Sequence, residues 1–563
     1  MSAALIVDGG VVLAYFVVVM SIGLAQRSKS GSMEGFALGD RQIAWWAVLA
    51  SILAAEISGA TFFGAPGEGY ALRNFTYVQL IIGYILARVF VSAFFIPAYY
   101  RHNVVSIYEF LEHRFGPRTR RLASAVFLVT RALASGTRLW VPTILLVIAW
   151  KLFVNPEVSP WQEFWLYAVA LVLITLLTAI YTAIGGIRAV VWTDVIQVCV
   201  LFGALGFSLW FLLGKVPGGW DGVKAFLSQP EIARPDDLKV FSWGHPDPAY
   251  PGLWGWIKGI LEQEYTLWAA FLGSTFVTLA THGTDQDMVQ RMLTAKNKNQ
   301  SAVATILSGI VDVPVVFVVL AIGILLHVFY HNNPDASLLR YLDGHPNPAG
   351  APKPNEIFPQ FVLTQMPAGL RGLVIAGLLA ATMGSLGTAL NALSTSYVRD
   401  FHFRWFGEPG TDAGRVRVLR LGTVGFAVIL IAIGLATAGV VALQPSLRIL
   451  PIVLGIFGYT YGSLLGVFMV GLFTRRGNCR GNLIAMISGF VAVAYLSGLD
   501  ASIANLFGGK GLSRPGWMPV IEFPWRILFG SLVTFLVAVL FKRPTQAEAS
   551  AMTREMEKPR LAA

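Results

Sequence analysis

Glu56 lies inside a hydrophobic stretch, in the run Ala54-Ala55-Glu56-Ile57-Ser58-Gly59-Ala60-Thr61. A carboxylate at membrane depth is costly, so it normally faces protein or water and marks an ion or solute path. Gly59, Gly64, Pro66, Gly67 and Gly69 follow it closely, which predicts an interrupted helix. If Ile57 to Ala60 unwinds, the carbonyls of Ala54 and Ile57 are free to face a cation. The bland reading of Glu56 is a structural carboxylate paired with an arginine.

Four further stretches carry polar groups into apolar surroundings. Ala381, Gly384, Ser385 and Thr388 share one helix face by their three- and four-residue spacing. Small residues allow close helix approach, and hydroxyls are hard oxygen ligands suited to a small cation. Alone this is a packing seam; joined to unwound carbonyls it makes a sodium site. Gly185-Gly186 is a tight turn, and Asp194 sits about two helical turns beyond it. It is either an ion relay or a structural charge, held in a salt bridge or favoured near a helix N-terminus. The run 281–291 interrupts another apolar segment, as a second helix break or an ordinary cytoplasmic helix end. The helix-end reading is taken for Asp287, Gln290 and Arg291, whereas Thr278, Thr281 and His282 lie deeper, where they can face a solute. Arg131 and Arg138, seven residues apart, share a face. Either can clamp a carboxylate or neutralise Glu56 or Asp194, and Arg131 is read as structural.

The elements that position these groups are spanning helices. The 563 residues include only 13% charged ones, against about 25% in soluble domains, and the mean hydropathy is +0.63. Apolar runs long enough to cross a bilayer fall near 8–26, 44–72, 76–98, 121–150, 161–184, 188–214, 266–290, 301–330, 371–398, 420–440, 449–473, 482–499 and 525–541. This predicts an all-α polytopic membrane protein with about 13 transmembrane helices. Residues 1–543 form the transmembrane domain and 544–563 a polar, disordered cytoplasmic tail. The net charge of +11 reflects arginines and lysines in alternate short loops, among them Arg27, Lys29, Arg101, Arg188, Lys296 and Arg475. By the positive-inside bias those loops are cytoplasmic, which puts the N-terminus outside and the C-terminus inside. The first apolar segment lacks a basic leader and reads as a retained helix. Cys199 and Cys479 fall at different depths, so no disulfide is expected. Nothing resembles a catalytic constellation, a phosphate-binding loop or a nucleic-acid patch, and no protein partner is implied beyond the bilayer.

Together these stretches resemble the sodium/solute symporter family. The resemblance rests on Gly185-Gly186 with Thr193-Asp194-Val195-Ile196-Gln197, on Asp285-Gln286 with Val289-Gln290-Arg291 and Leu293-Thr294-Ala295-Lys296, on the Ser58-Gly59 break, and on Ser106-Ile107-Tyr108-Glu109-Phe110. It implies a LeuT-like 5+5 inverted repeat. Repeat one is 44–214 and repeat two 266–473, with helix 1 at 8–26 before them and the last helices at 482–541 after. It also implies a sodium site from the carbonyls of Ala54, Ile57 and Ala381 and the hydroxyl of Ser385. Gly384 stands where the family usually carries a second hydroxyl. Asp194 matches an aspartate on the ion exit path. With Gly384 and Gly387 in place of hydroxyls, a single coupling Na+ is expected. Ser58, Thr61 and Gln79 would contact the solute, beside Arg138, Thr278 and His282. The implied activity is uptake of a small organic solute, a sugar or a carboxylate-bearing one, across the inner membrane. The alternatives are a proton- or ion-independent carrier of the same fold, or a transport-derived sensor.

Overall fold

The computed structural model of the chain describes residues 3–26, 31–155, 158–333, 354–443, 449–506 and 509–543. Arg27 and Lys29, the middle of the loop expected over 331–370, and the tail from 544 lie outside the described residues. Each expected span coincides with helix, and no strand occurs among the described residues beyond one isolated bridge. Among the described residues, nine helices are long and apolar enough to cross a bilayer, or ten when one bent pair is counted as a span. The expected count of 13 differs because some segments are joined or broken. Segments 161–184 and 188–214 run together as Pro160–Lys215, where Gly186 leaves helical geometry at φ 59° and ψ −154°. A straight helix of those 56 residues would be about 84 Å long, roughly twice the bilayer. The glycine is required there, since a Cβ would lie 2.5 Å from the Phe36 carbonyl oxygen.

Burial sorts the helices into centre and rim. In Leu370–Phe406, 89% of the apolar window is buried, against 17% in Ala3–Ala25. The Leu370–Tyr397 helix is therefore the axis of the bundle, and it packs on Pro160–Lys215, Trp45–Glu56, Gly59–Leu72 and Pro117–Arg138. Small residues set these close approaches: a Cβ on Gly59 would lie 2.8 Å from Thr382 Oγ1. Apolar side chains left exposed, such as Leu13, Val129, Leu173, Val428 and Leu536, face where lipid would lie.

The break predicted at Glu56 is present. Trp45–Glu56 and the helix through Leu72 meet at 60°. Ile57 takes φ −85° and ψ 80°, and Ser58 caps the second arm, accepting from the Thr61 amide. Thr275–Gly283 and Gln286–Met292 are likewise separated at Thr284 and Asp285, with the Asp285 side chain capping the second piece. The reading of 281–291 as a second break therefore holds in the backbone.

Outside the spans, Glu264 precedes the segment that leads to this second break. Burial, followed by the nearby Glu522 and Glu68 carboxylates, raises it to about 6. A carboxyl raised on folding stabilises the protein at low pH, and that contribution fades as pH climbs from its unfolded value through about 6. Glu264→Gln is accordingly expected to flatten the melting temperature between pH 4.5 and 6. An unchanged pH profile would remove Glu264 as its source.

Candidate functional site

The broken helix frees two carbonyls by a specific exchange of hydrogen bonds. In a continuous helix the Ser58 amide would return to Ala54 O and the Thr61 amide to Ile57 O. Here Ser58 N–H donates to Glu56 O at 3.0 Å, and Thr61 N–H donates to Ser58 Oγ at 3.4 Å. The Ala54 carbonyl faces the 370–397 helix, its oxygen 3.2 Å from the position a Cβ would take on Gly384. At the next residue of that helix, Ser385 Oγ donates to the carbonyls of Ala381 at 3.2 Å and Thr382 at 3.0 Å. A hydroxyl that donates into its own helix keeps its lone pairs for an outside cation. Thr388 Oγ1 donates to Gly384 O at 3.2 Å and is buried. A hard-oxygen set drawn from two helices is the donor chemistry Na+ takes, so these residues fit the ion.

Beside this seam lies a cavity lined by Ser58, Gly59, Arg131, Ser135, Arg138, Leu139, Thr382, Ser385 and Leu386. The broken helix, the Pro117–Arg138 helix and the central helix meet there. The two arginines behave differently. Arg131 pairs with Asp285 at 3.0 Å and also with Asp287, while Tyr461 donates to Asp285 at 2.6 Å. Arg138 stacks over the Phe457 ring at 4.9 Å, and no carboxylate pairs with it among the described residues. Its guanidinium is the uncommitted cation at the cavity wall. Thr61 stands at the base of the second arm, its Oγ1 3.4 Å from Ser58 Oγ.

Glu56 itself is committed elsewhere. It pairs with Arg88, and His282 Nε2 lies 2.8 Å from Glu56 Oε1. Arg88 also holds Asp312 at 2.9 Å. Arg88 is 1% exposed and Asp312 6%, so four helices meet at a buried ionic cluster. The arginine partner foreseen for Glu56 exists, but it is Arg88, not Arg131 or Arg138. Arg88 and Asp312 were legible by the same rule that singled out Glu56, since both are charges within apolar spans.

Asp194 lies in a second buried network. It accepts from Ser51 Oγ at 2.5 Å and sits 3.5 Å from Arg291 Nη1, which also reaches Asp287 at 3.4 Å. Arg291 and Asp194 are each 0% exposed. The reading of Asp287, Gln290 and Arg291 as an interfacial helix end is therefore corrected. The second break turns these residues inward, and their charges are paired with Arg131 and Asp194. A guanidinium beside Asp194 also opposes a second cation there. Gln79 is buried away from the cavity and accepts from the Ser242 amide at 3.2 Å, tying down the loop that carries Ser242. Thr278 is buried in Thr275–Gly283 and does not line the cavity, and His282 is turned to Glu56. Thus Ala54 and Gly384 adjoin at the first break, Ser58, Arg138 and Ser385 line the cavity beside it and Thr61 adjoins Ser58; Ile57, Ala381 and Thr388 belong to the same two helices, while Gln79, Asp194, Thr278 and His282 lie in separate contacts.

Comparison with known proteins places the chain and its fold. A sequence model described as the sodium:solute symporter family matches residues 36–489. A sodium/sialic acid symporter of Proteus mirabilis is 27% identical over 91% of this chain and 94% of its own length. Sodium/glucose cotransporter 1 of Oryctolagus cuniculus is 26% identical over 95% of this chain and 77% of its own. Among solved structures, a Na+-coupled sialic acid symporter in a substrate-bound outward-open state superposes with a TM-score of 0.74 at 24% identity, covering 96% of this chain and 99% of that one. The fold is the LeuT-like one expected.

Proposed function

The chain belongs to the sodium:solute symporter family, and on that footing we propose that it is an inner-membrane symporter that couples one Na+ to the uptake of a carboxylate-bearing organic solute. It is a multi-pass membrane carrier, not an enzyme, and its coupling ion is Na+. Pro160–Lys215 counts as two crossings, and the broken 269–292 segment and Phe523–Val539 as one each; with them the chain crosses the bilayer thirteen times, N-terminus outside and C-terminus inside. No protein partner is required.

The observation that carries the solute assignment is Arg138. It reaches the cavity at the helix break without a carboxylate of its own, whereas Arg131 beside it is neutralised twice. A solute carboxylate would complete Arg138 by a two-pronged hydrogen bond, with Ser58, Ser135 and Thr382 left for hydroxyls. Relatives named for sialic acid point to a sugar acid as the first candidate.

Coupling follows from which elements share the oxygens. Ala54 and Ile57 belong to the broken helix, and Ala381 and Ser385 to the central helix. Bound Na+ supplies positive charge that bridges the two. The broken helix contributes both the carbonyls for the ion and Ser58 at the cavity, so ordering one orders the other. This is a differential interaction of the kind coupling requires. The proton-driven alternative would need an uncommitted Glu56, and Arg88 and His282 hold it.

Melting of the purified protein against sugars, amino acids and organic acids, in Na+ or in K+, tests this reading. The expected result is stabilisation by a carboxylate-bearing solute only when Na+ is present. Stabilisation by the same solutes in K+ would overturn sodium coupling. Arg138→Lys keeps the charge but loses the fork, and should weaken solute affinity roughly tenfold or more while leaving stabilisation by Na+ alone intact. Unchanged solute affinity would remove Arg138 from the site.

A further inference from the structure

Gly384 leaves the sodium site one side-chain oxygen short, and the structure shows what stands in its place. The position of a Cβ on Gly384 is 3.2 Å from the Ala54 carbonyl oxygen and 2.9 Å from Gln197 Oε1. The two oxygens thus converge on the spot that a side chain at 384 would otherwise fill. Gln197 is 1% exposed, and neither its amide oxygen nor its nitrogen meets a hydrogen-bond partner. Tyr15 and Tyr181 approach its amide as hydrogen-bonding neighbours, outside the geometry of a full bond. Tyr15 donates to Met383 Sδ at 3.6 Å and Tyr181 to Met383 O at 3.4 Å. A buried amide oxygen without a donor in full hydrogen-bond geometry is costly, and a bound cation would complete it.

We propose that Gln197 Oε1 is a ligand of the coupling Na+, replacing the hydroxyl that Gly384 lacks. The amide oxygen is a hard, neutral donor like the carbonyls and the Ser385 hydroxyl. It comes from Pro160–Lys215, so the ion contacts three helices rather than two: the broken one, the central one, and the one bearing Asp194 a turn away. Gly384 is what makes room. A side chain there would press on the Gln197 oxygen, so the small residue and the long amide form a matched pair, and sodium binding would reach from the helix break to the inward-side Asp194–Arg291 network.

This inference rests on the sodium site of the proposed function, and the experiment separates the two. Sodium affinity is read without transport, from the Na+-dependence of melting and from radioactive sodium binding. Gln197→Ala should raise the sodium Kd about tenfold or more with little effect on melting in K+. Gln197→Glu keeps an oxygen and should hold or tighten affinity. Adding Gly384→Ser to Gln197→Ala, where the amide no longer blocks the space, should restore binding toward the parent by returning a hydroxyl. Unchanged affinity in Gln197→Ala, with affinity lost in Ser385→Ala, overturns the role of Gln197 and leaves the site standing. Unchanged affinity in both variants overturns the site itself. Loss in Gln197→Ala without restoration by Gly384→Ser shows a packing role and also overturns the assignment. If Gln197→Ala does not fold, loss of sodium affinity in Gln197→Glu overturns it and retention supports it.

Discussion

Arg88→Met is expected to be among the most damaging single substitutions in this protein, destabilising it by about 3–5 kcal/mol. Arg88 is the shared cation of Glu56 and Asp312, and at 1% exposure no solvent can replace it. Removing it leaves two carboxylates within one buried cluster, with only His282 beside Glu56. Gly309 shows how closely the site is fitted, since a Cβ there would lie 2.8 Å from Arg88 Nη1. The check is melting in detergent together with the fraction recovered as monodisperse protein. Glu56→Gln in the Arg88→Met background should recover part of the loss, because it removes one stranded charge. A melting temperature that stays at the parent value in Arg88→Met would mean that the ionic cluster does not hold the broken helix.

The second large effect is on the ion. Ser385→Ala removes the single side-chain hydroxyl proposed for sodium and leaves the helix otherwise intact, since Ser385 Oγ donates only to carbonyls of its own helix. Stability in K+ should therefore barely change. Sodium affinity should fall by about 1.5–3 kcal/mol, on the scale of a charged contact, which is roughly tenfold to a hundredfold. Solute affinity measured at fixed sodium should fall with it, because binding free energies linked through one conformational equilibrium are reciprocal. Sodium-dependent uptake or melting that keeps the parental midpoint would refute the site.

The contrast between the two arginines of Pro117–Arg138 shows how pairing assigns roles. They sit seven residues apart on one helix, yet Arg131 is closed off by Asp285 and Asp287 and Arg138 is not. What distinguishes them is the second helix break, which brings Asp285 and Asp287 into ion pairs with Arg131. The same break carries Arg291 to Asp194. The chain thus spends most of its intramembrane charges on holding broken helices in place, and leaves one cation and one set of oxygens open at the cavity.

By itself the sequence determined the class of molecule. Long apolar runs with few charges can only be spanning helices, because unpaired backbone in hydrocarbon is too costly for anything else. It also located the first break. Ser58 and the glycines after Glu56 cannot sustain a continuous apolar helix, and the structure bends there by 60°. Positions four residues apart on one helix, such as Ala381 and Ser385, were legible for the same reason, because helical periodicity is local. Charge pairing was not legible. Arg88 meets Glu56 from 32 residues away and Asp312 from 224, and which cation serves which carboxylate depends on how separate helices cross. The match of Gly384 to Gln197 is of that kind too. One glycine reads as a missing ligand and one glutamine as ordinary helix polarity, until packing brings the amide oxygen into the space that the glycine leaves.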